Sequence, residues 1–186
     1  MRIIAGKWRG RRITAPARSE TRPTADRVRE AVFSSVITRL GPLDGVRVLD
    51  LYAGSGALGI EALSRGAAHA TFVESDRRAA DTIRANLAAL GAHDATVQVT
   101  RVERLDVSRL REAPASLLFA DPPYRIDAAE FSQVLEALAN GGALVPGALI
   151  VYEHGTKTQP SWPSGFSETG VRRYGDTEVT YSIYGG

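Results

Sequence analysis

The chain contains no cysteine, which excludes disulfides and thiolate metal sites. Its only histidines, His69, His93 and His154, are scattered without metal-ligand spacing, so no metal centre is expected. No apolar run approaches the length needed to span a bilayer. The first residues are basic and broken by Gly6 and Gly10, with no apolar stretch of the kind a secretory signal needs, so a cytoplasmic protein is expected. There are no internal repeats and no low-complexity segments. At 186 residues and 44% apolar, the chain suffices for one globular domain with a real core, and leaves no room for a separate target-recognition domain.

Charge is present but unevenly placed. Net charge is only +2, yet residues 1–30 hold nine basic side chains against three acidic ones, a surplus of six that leaves the remainder at −4. Arginine outnumbers lysine 21 to two over the whole chain, so the choice of arginine carries no information; its clustering does. A basic segment on a mildly acidic body is the footprint of a polyanion-binding arm.

Two motifs carry chemistry. Val46 to Asp50 (VRVLD) is an apolar strand closed by an acid. It runs into Leu51-Tyr52-Ala53-Gly54-Ser55-Gly56-Ala57-Leu58-Gly59 and then a helical stretch, the strand–glycine loop–helix unit that cradles nucleotides. The glycine spacing, with Glu74 about 20 residues on, leaves a nicotinamide dinucleotide and S-adenosylmethionine both open. The flanks favour the latter. Asp50 would repel a pyrophosphate and suits a cofactor with an ammonium and a sulfonium, and Glu74, ending the strand Ala70–Glu74, is placed for ribose hydroxyls. The second motif is Asp121-Pro122-Pro123-Tyr124, after the apolar run Ser116–Ala120. Proline fixes φ and lacks an N–H, so the turn is stiff and rich in acceptors, the carboxylate adds another, and the tyrosine offers a face for a base. Such a turn can hold the exocyclic amine of a nucleobase.

These motifs, in this order, resemble class I methyltransferases that modify exocyclic amines. Met1-Arg2-Ile3-Ile4-Ala5-Gly6-Lys7-Trp8-Arg9-Gly10-Arg11-Arg12 and Arg22-Pro23-Thr24-Ala25-Asp26-Arg27-Val28-Arg29-Glu30-Ala31-Val32-Phe33 resemble the RsmD-type enzymes, over nearly the whole chain. The resemblance implies methyl transfer from S-adenosylmethionine to N2 of one guanine in 16S ribosomal RNA (guanine 966 in the family). The RNA would be met naked or within the assembling or assembled small subunit, by an enzyme expected to be a monomer. It implies Asp121, Pro122 and Tyr124 as catalytic residues, and Asp50, Tyr52, Gly54, Gly56, Glu74 and Glu103 around the cofactor. Glu103 is the least marked of these, because no clear adenine-binding acid follows the third strand. Lys7, Arg9, Arg11, Arg12, Arg22, Arg27 and Arg125 are the RNA-facing candidates, with Arg172 and Arg173 further possibilities; Glu153 and His154, near the expected cleft, receive no role. The competing readings are an N6-adenine methyltransferase, a nicotinamide-dependent oxidoreductase and a non-enzymatic RNA-binding protein.

The pattern predicts a β-hairpin arm over 1–23 as an RNA-binding extension and a catalytic domain over 24–186. A helix from about Arg27 to Leu40, capped by Thr24 or Asp26, precedes alternating strands (46–50, 70–74, 95–100, 116–120, 144–152) and helices (57–65, 76–90, a poor one near 105–111, 127–139). Segments 167–174 and 178–184, joined by Gly175-Asp176, read as an antiparallel hairpin. The expected fold is α/β and Rossmann-like: a mostly parallel doubly wound sheet ending in that hairpin.

Overall fold

The computed structural model describes residues 1–15, 23–110, 113–123 and 126–186, with side chains in the first helix from Asp26 onward. The strands are β1 (Arg47–Leu51), β2 (His69–Glu74), β3 (Ala95–Val99), β4 (Ala115–Ala120), β5 (Leu144–Gly155), β6 (Phe166–Tyr174) and β7 (Thr177–Tyr184). The helices are α1 (Pro23–Leu40), α2 (Ala57–Ser64), α3 (Arg77–Leu90) and α4 (Ala128–Asn140). All seven strands join one sheet in the order β3-β2-β1-β4-β5-β7-β6. β1 to β5 are parallel, and β7 runs antiparallel between β5 and β6. This is the Rossmann-like class I methyltransferase arrangement that the sequence pattern predicts.

Strands covered on both faces need nearly continuous apolar sequence, and β4 (ASLLFA) supplies it. On one face Phe72, Phe119 and Val151 pack with Phe33 of α1, Ile60 of α2 and Ile83 of α3. On the other, Leu49, Leu118 and Ile150 pack with Phe131, Leu135 and Leu138 of α4. The helix ends follow local chemistry. Asp76 caps α3 by accepting from the amides of Arg78 (2.7 Å) and Ala79 (3.0 Å), and Asp127 with Glu130 forms a capping box on α4.

Three local expectations need correction. α1 begins at Pro23, a residue suited to a first helical position, so Asp26 lies inside the first turn, where it pairs with Arg29 at 3.0 Å instead of capping. The poor helix near 105–111 is two single 3₁₀ turns, Val102–Arg104 and Val107–Leu110. The amino-terminal segment is hairpin-shaped but forms one β-bridge, Arg2 to Arg12, and no named strands.

The reason is where its amides go. Ile4 and Ala5 donate to the two carboxylate oxygens of Glu61 (2.8 and 3.0 Å), Lys7 donates to the Ser64 carbonyl (2.7 Å) and Trp8 to the Ser64 hydroxyl (3.0 Å). Those groups bind the body of the protein instead of a partner strand. Ile3, Trp8 and Ile13 accordingly sit in the same apolar cluster as Phe33 and Ile60. Gly6 is required here, since a Cβ would fall 1.7 Å from the Ser64 carbonyl oxygen.

Candidate functional site

The strand order reverses between β1 and β4, and in open α/β sheets ligands bind beyond the carboxyl ends of the strands at such a point. A cleft of about 480 Å³ lies there, lined by Tyr52, Glu74, Glu103, Asp121, Pro122 and Glu153 among others. Five of these six are sequence-predicted site residues, contributed by four separate stretches of chain.

The glycine loop is held by two acids. Asp50, 2% exposed, accepts from the Gly59 amide at 2.9 Å, tying the end of β1 to the first turn of α2. Glu74 accepts from the Gly54 amide at 2.8 Å and from the Asp76 amide at 2.7 Å, so it braces both the loop and the entry to α3. Gly54 (φ 55°) and Gly56 (φ 75°) adopt left-handed backbone, and so does Tyr52 (φ 56°), a strained conformation for a non-glycine residue. Gly59 is needed for a different reason: a Cβ there would fall 2.4 Å from the Phe72 ring and 3.0 Å from the Asp50 carboxylate.

Gly56 precedes α2 with no side chain to cap it, and the Asp50 carboxylate takes the Gly59 amide of the first turn instead. Glu103, on the turn after β3, accepts a long 3.4 Å hydrogen bond from the Tyr52 hydroxyl. Loss of hydration, then the Glu103 charge and hydrogen bond, push the Tyr52 phenol pKa upward.

Electrostatically the cleft is acidic. Burial pushes the Asp50 carboxyl up to about 8; the Gly59 amide opposes the rise, and the Asp121 and Glu74 charges add to it. Asp121 is open to the cleft but crowded by protein on its other sides, and lost hydration raises it to about 6. Glu153 is raised to about 7, by lost hydration first and then by the Asp121 charge. Asp121 and Glu153 therefore titrate as an interacting pair. Sequence reasoning gave Glu153 no role; the signal it offered was an acid following an apolar strand core, the feature that drew attention to Asp50 and Glu74.

The stiff turn after β4 behaves largely as its prolines dictate. The Pro123 carbonyl is taken by the Ile126 amide at 2.9 Å, whereas the Pro122 carbonyl has no backbone donor among the described residues. Asp121 and Pro122 both line the cleft. Tyr124 and Arg125 lie outside the described residues, as does Arg22. His154 is structural: its ring bonds the Thr180 hydroxyl (2.8 Å) and the Gly155 carbonyl (3.0 Å).

Among the basic candidates, Lys7, Arg9, Arg11, Arg12 and Arg27 are exposed. The Lys7 ammonium lies 4.4 Å from the centroid of the Trp8 ring, and Arg11 donates to the Ala89 carbonyl at 2.7 Å. Arg29, counted in the basic cluster, is instead buried, bonded to Asp26 and the Arg2 carbonyl and 3.9 Å from Glu61. The arm also reaches the loop. Asn86 accepts from the Thr14 amide and donates to the Thr14 carbonyl (2.9 Å each), with a longer 3.4 Å bond to the Ser55 carbonyl. The Met1 sulfur lies 3.7 Å from the Ser55 hydroxyl.

The chain and its fold have known relatives. Residues 1–183 match the family model described as conserved hypothetical protein 95. The chain is 37% identical over 186 residues to ribosomal RNA small subunit methyltransferase D of Escherichia coli, covering 99% of this chain and 89% of that one. It is 36% identical over 155 residues to the protein of that name in Haemophilus influenzae, covering 82% and 78%. The solved structure of the Escherichia coli protein yhhF superposes with a TM-score of 0.82 at 33% identity, over 100% of this chain and 98% of that one.

Proposed function

This chain belongs to the family of ribosomal RNA small subunit methyltransferase D, whose members are rRNA methyltransferases, and on that premise we propose that it methylates the exocyclic N2 of one guanine in 16S ribosomal RNA, with S-adenosylmethionine as donor. The observation that carries the reading is one cleft lined by Tyr52 of the glycine loop, by Glu74, which braces that loop through the Gly54 amide, and by Asp121 and Pro122. Asp50, Gly54 and Gly56 stand behind this lining.

The donor set fits such a cofactor. Acidic groups at the ends of β1, β2, β4 and β5 favour a ligand carrying ammonium and sulfonium charges. Each oxygen of Glu74 has accepted one amide and retains lone-pair capacity for ribose hydroxyls. Gly54 and Gly56 shape the loop through left-handed backbone, while Tyr52 and Glu103 line the cleft. The cofactor supplies a methyl that is already electrophilic.

The protein's task is then presentation of a weak nucleophile. Asp121 and the Pro122 carbonyl accept the two N2 hydrogens, which turns the nitrogen toward tetrahedral geometry and stabilises the positive charge growing on it. Holding the reacting atoms in line is worth ~7–11 kcal/mol of barrier. Tyr124 stacks on the extruded base. Lys7, Arg9, Arg11, Arg12 and Arg27, with Arg22 and Arg125, meet RNA phosphates, so residues 1–23 act as an RNA-binding extension of the catalytic body.

The test is transfer of labelled methyl to undermethylated small subunits, naked 16S RNA and duplex DNA, followed by nucleoside analysis. N2-methylguanosine from the ribosomal substrates supports the proposal. Label in N6-methyladenine, or none in a ribosomal substrate despite cofactor binding, overturns it.

A further inference from the structure

The acceptor half of the cleft contains a carboxylate that the reaction as stated does not use. In the β4–β5 ladder Ala120 is paired with Tyr152; Asp121 is the first residue past the end of β4, and Glu153 follows Tyr152 within β5. Side chains alternate along a strand, and Phe119 and Val151 lie in one core cluster while Ala120 and Tyr152 lie in the other. Glu153 therefore projects to the face of Phe119 and Val151, beside the turn that carries Asp121 at the end of the neighbouring strand. Both line the cleft, and each lies within the other's field. Among the described residues, Glu153 has no ion-pair or side-chain hydrogen-bond partner that would give it a structural role.

We propose that Glu153 reads the Watson–Crick edge of the target base, accepting the N1–H of guanine beside the exocyclic amine that Asp121 and Pro122 hold. This rests on the guanine-N2 reading above and adds the specificity determinant to it. The argument is one of donor pattern. Next to its exocyclic amine, guanine carries a second donor, N1–H. Adenine carries a lone pair at N1 beside its amine, and cytosine a lone pair at N3. Two adjacent carboxylates offer only acceptors when ionised, so they complement guanine and set a negative group against the lone pair of the other two bases. A site built around such a hydrogen bond rejects analogues lacking the donor far more strongly than shape alone allows.

The base 2-aminopurine probes this contact, because it keeps the 2-amino group and has a lone pair in place of N1–H. It also lacks the 6-oxygen, so the response of the ratio to the Glu153 variant is what assigns the difference to N1. Ribosomal RNA with guanine or 2-aminopurine at the target position, assayed with the full-length protein, should differ in kcat/KM by at least ~100-fold in favour of guanine. Replacing Glu153 with glutamine (E153Q), whose amide can donate to a lone pair, should shrink that ratio about tenfold or more, with 2-aminopurine turnover rising and cofactor affinity unchanged. Wild-type enzyme that uses both bases within a few-fold overturns the proposal whether or not E153Q folds. An E153Q enzyme that loses activity equally on both also overturns it, by assigning Glu153 to structure or proton removal. If the wild type makes no N2-methylguanosine at all, the underlying guanine reading has failed. If it does and the ratio is flat, only the role of Glu153 has failed.

Discussion

Replacing Asp50 with asparagine should stabilise the ligand-free protein while weakening its hold on the cofactor, two effects of opposite sign from one atom. The carboxyl is buried against Gly59 and the acids of the cleft, and its pKa stands at about 8 against an ordinary 3.8. A carboxyl raised by folding binds a proton more tightly in the native state, so its contribution is fully present below pH ~4. It is lost as pH climbs through the native value. At ~1.4 kcal/mol per tenfold, the span from 3.8 to about 8 is on the order of 6 kcal/mol. That is comparable with the whole stability of many domains of this size.

Asparagine keeps an oxygen to accept from the Gly59 amide and never ionises. Asp121 and Glu153 contribute slopes of the same sign but complete them near pH 6 to 7, so the fall above pH 7 belongs chiefly to Asp50. Urea unfolding of the ligand-free protein at half-unit steps from pH 5 to 9 reads this directly. Wild type should lose stability up to and beyond pH 8, and Asp50→Asn should be nearly flat above pH 7. Calorimetry at pH 8 should show S-adenosylmethionine bound at least about tenfold more weakly by the variant, because a charge-assisted partner is gone. A wild-type curve that stays level from pH 7 to 9, or a variant with the same slope, would refute the reasoning about Asp50.

Gly59→Ala drives a methyl into the Phe72 ring and the Asp50 carboxylate, so it should cost about 1–3 kcal/mol in urea unfolding and weaken cofactor binding. Asp121→Ala should lower methyl transfer by ~10²-fold or more with cofactor affinity preserved; near-normal turnover would remove Asp121 from the chemistry. In the wild type, kcat/KM should drop as pH falls through about 7 and then about 6, where Glu153 and then Asp121 take up a proton and cease to be full acceptors. Replacing Arg9, Arg11 and Arg12 together should lower RNA affinity uniformly across sequences and reduce the slope of log affinity against log salt by roughly two to three; an unchanged slope would mean that those exposed side chains meet no phosphate.

The strands were legible because a parallel sheet covered on both faces demands apolar runs. Each run from Val46, Ala70 and Ser116 ends at or just before an acid that now lines or supports the cleft. The glycine loop was legible because its backbone needs residues that tolerate left-handed φ, although Tyr52 holds such a φ with a full side chain. What escaped were contacts between residues distant in sequence. Arg29 reads as one more base of the arm, and only the approach of Arg2 and Glu61 buries it. Glu61, which no motif singles out, is fully buried as acceptor for Ile4, Ala5 and Arg65. Glu153 is separated from Asp121 by an entire helix, so nothing local marks the pair. Periodicity tells which face a residue takes, and not which neighbour the fold brings to it.

Asn86 gives the arm and the cofactor loop a common support. One side chain bonds Thr14 through two atoms and reaches Ser55, so the basic segment and the glycine turn share a fixed point. Order imposed on either one restricts the other. Under the proposed function, RNA gripping the arm would lower the entropy cost of settling the loop around the cofactor, and a filled loop would hold the arm in register for RNA. Thermodynamic reciprocity requires the two enhancements to be equal, so the order in which the enzyme collects its two ligands leaves the stability of the final complex unchanged.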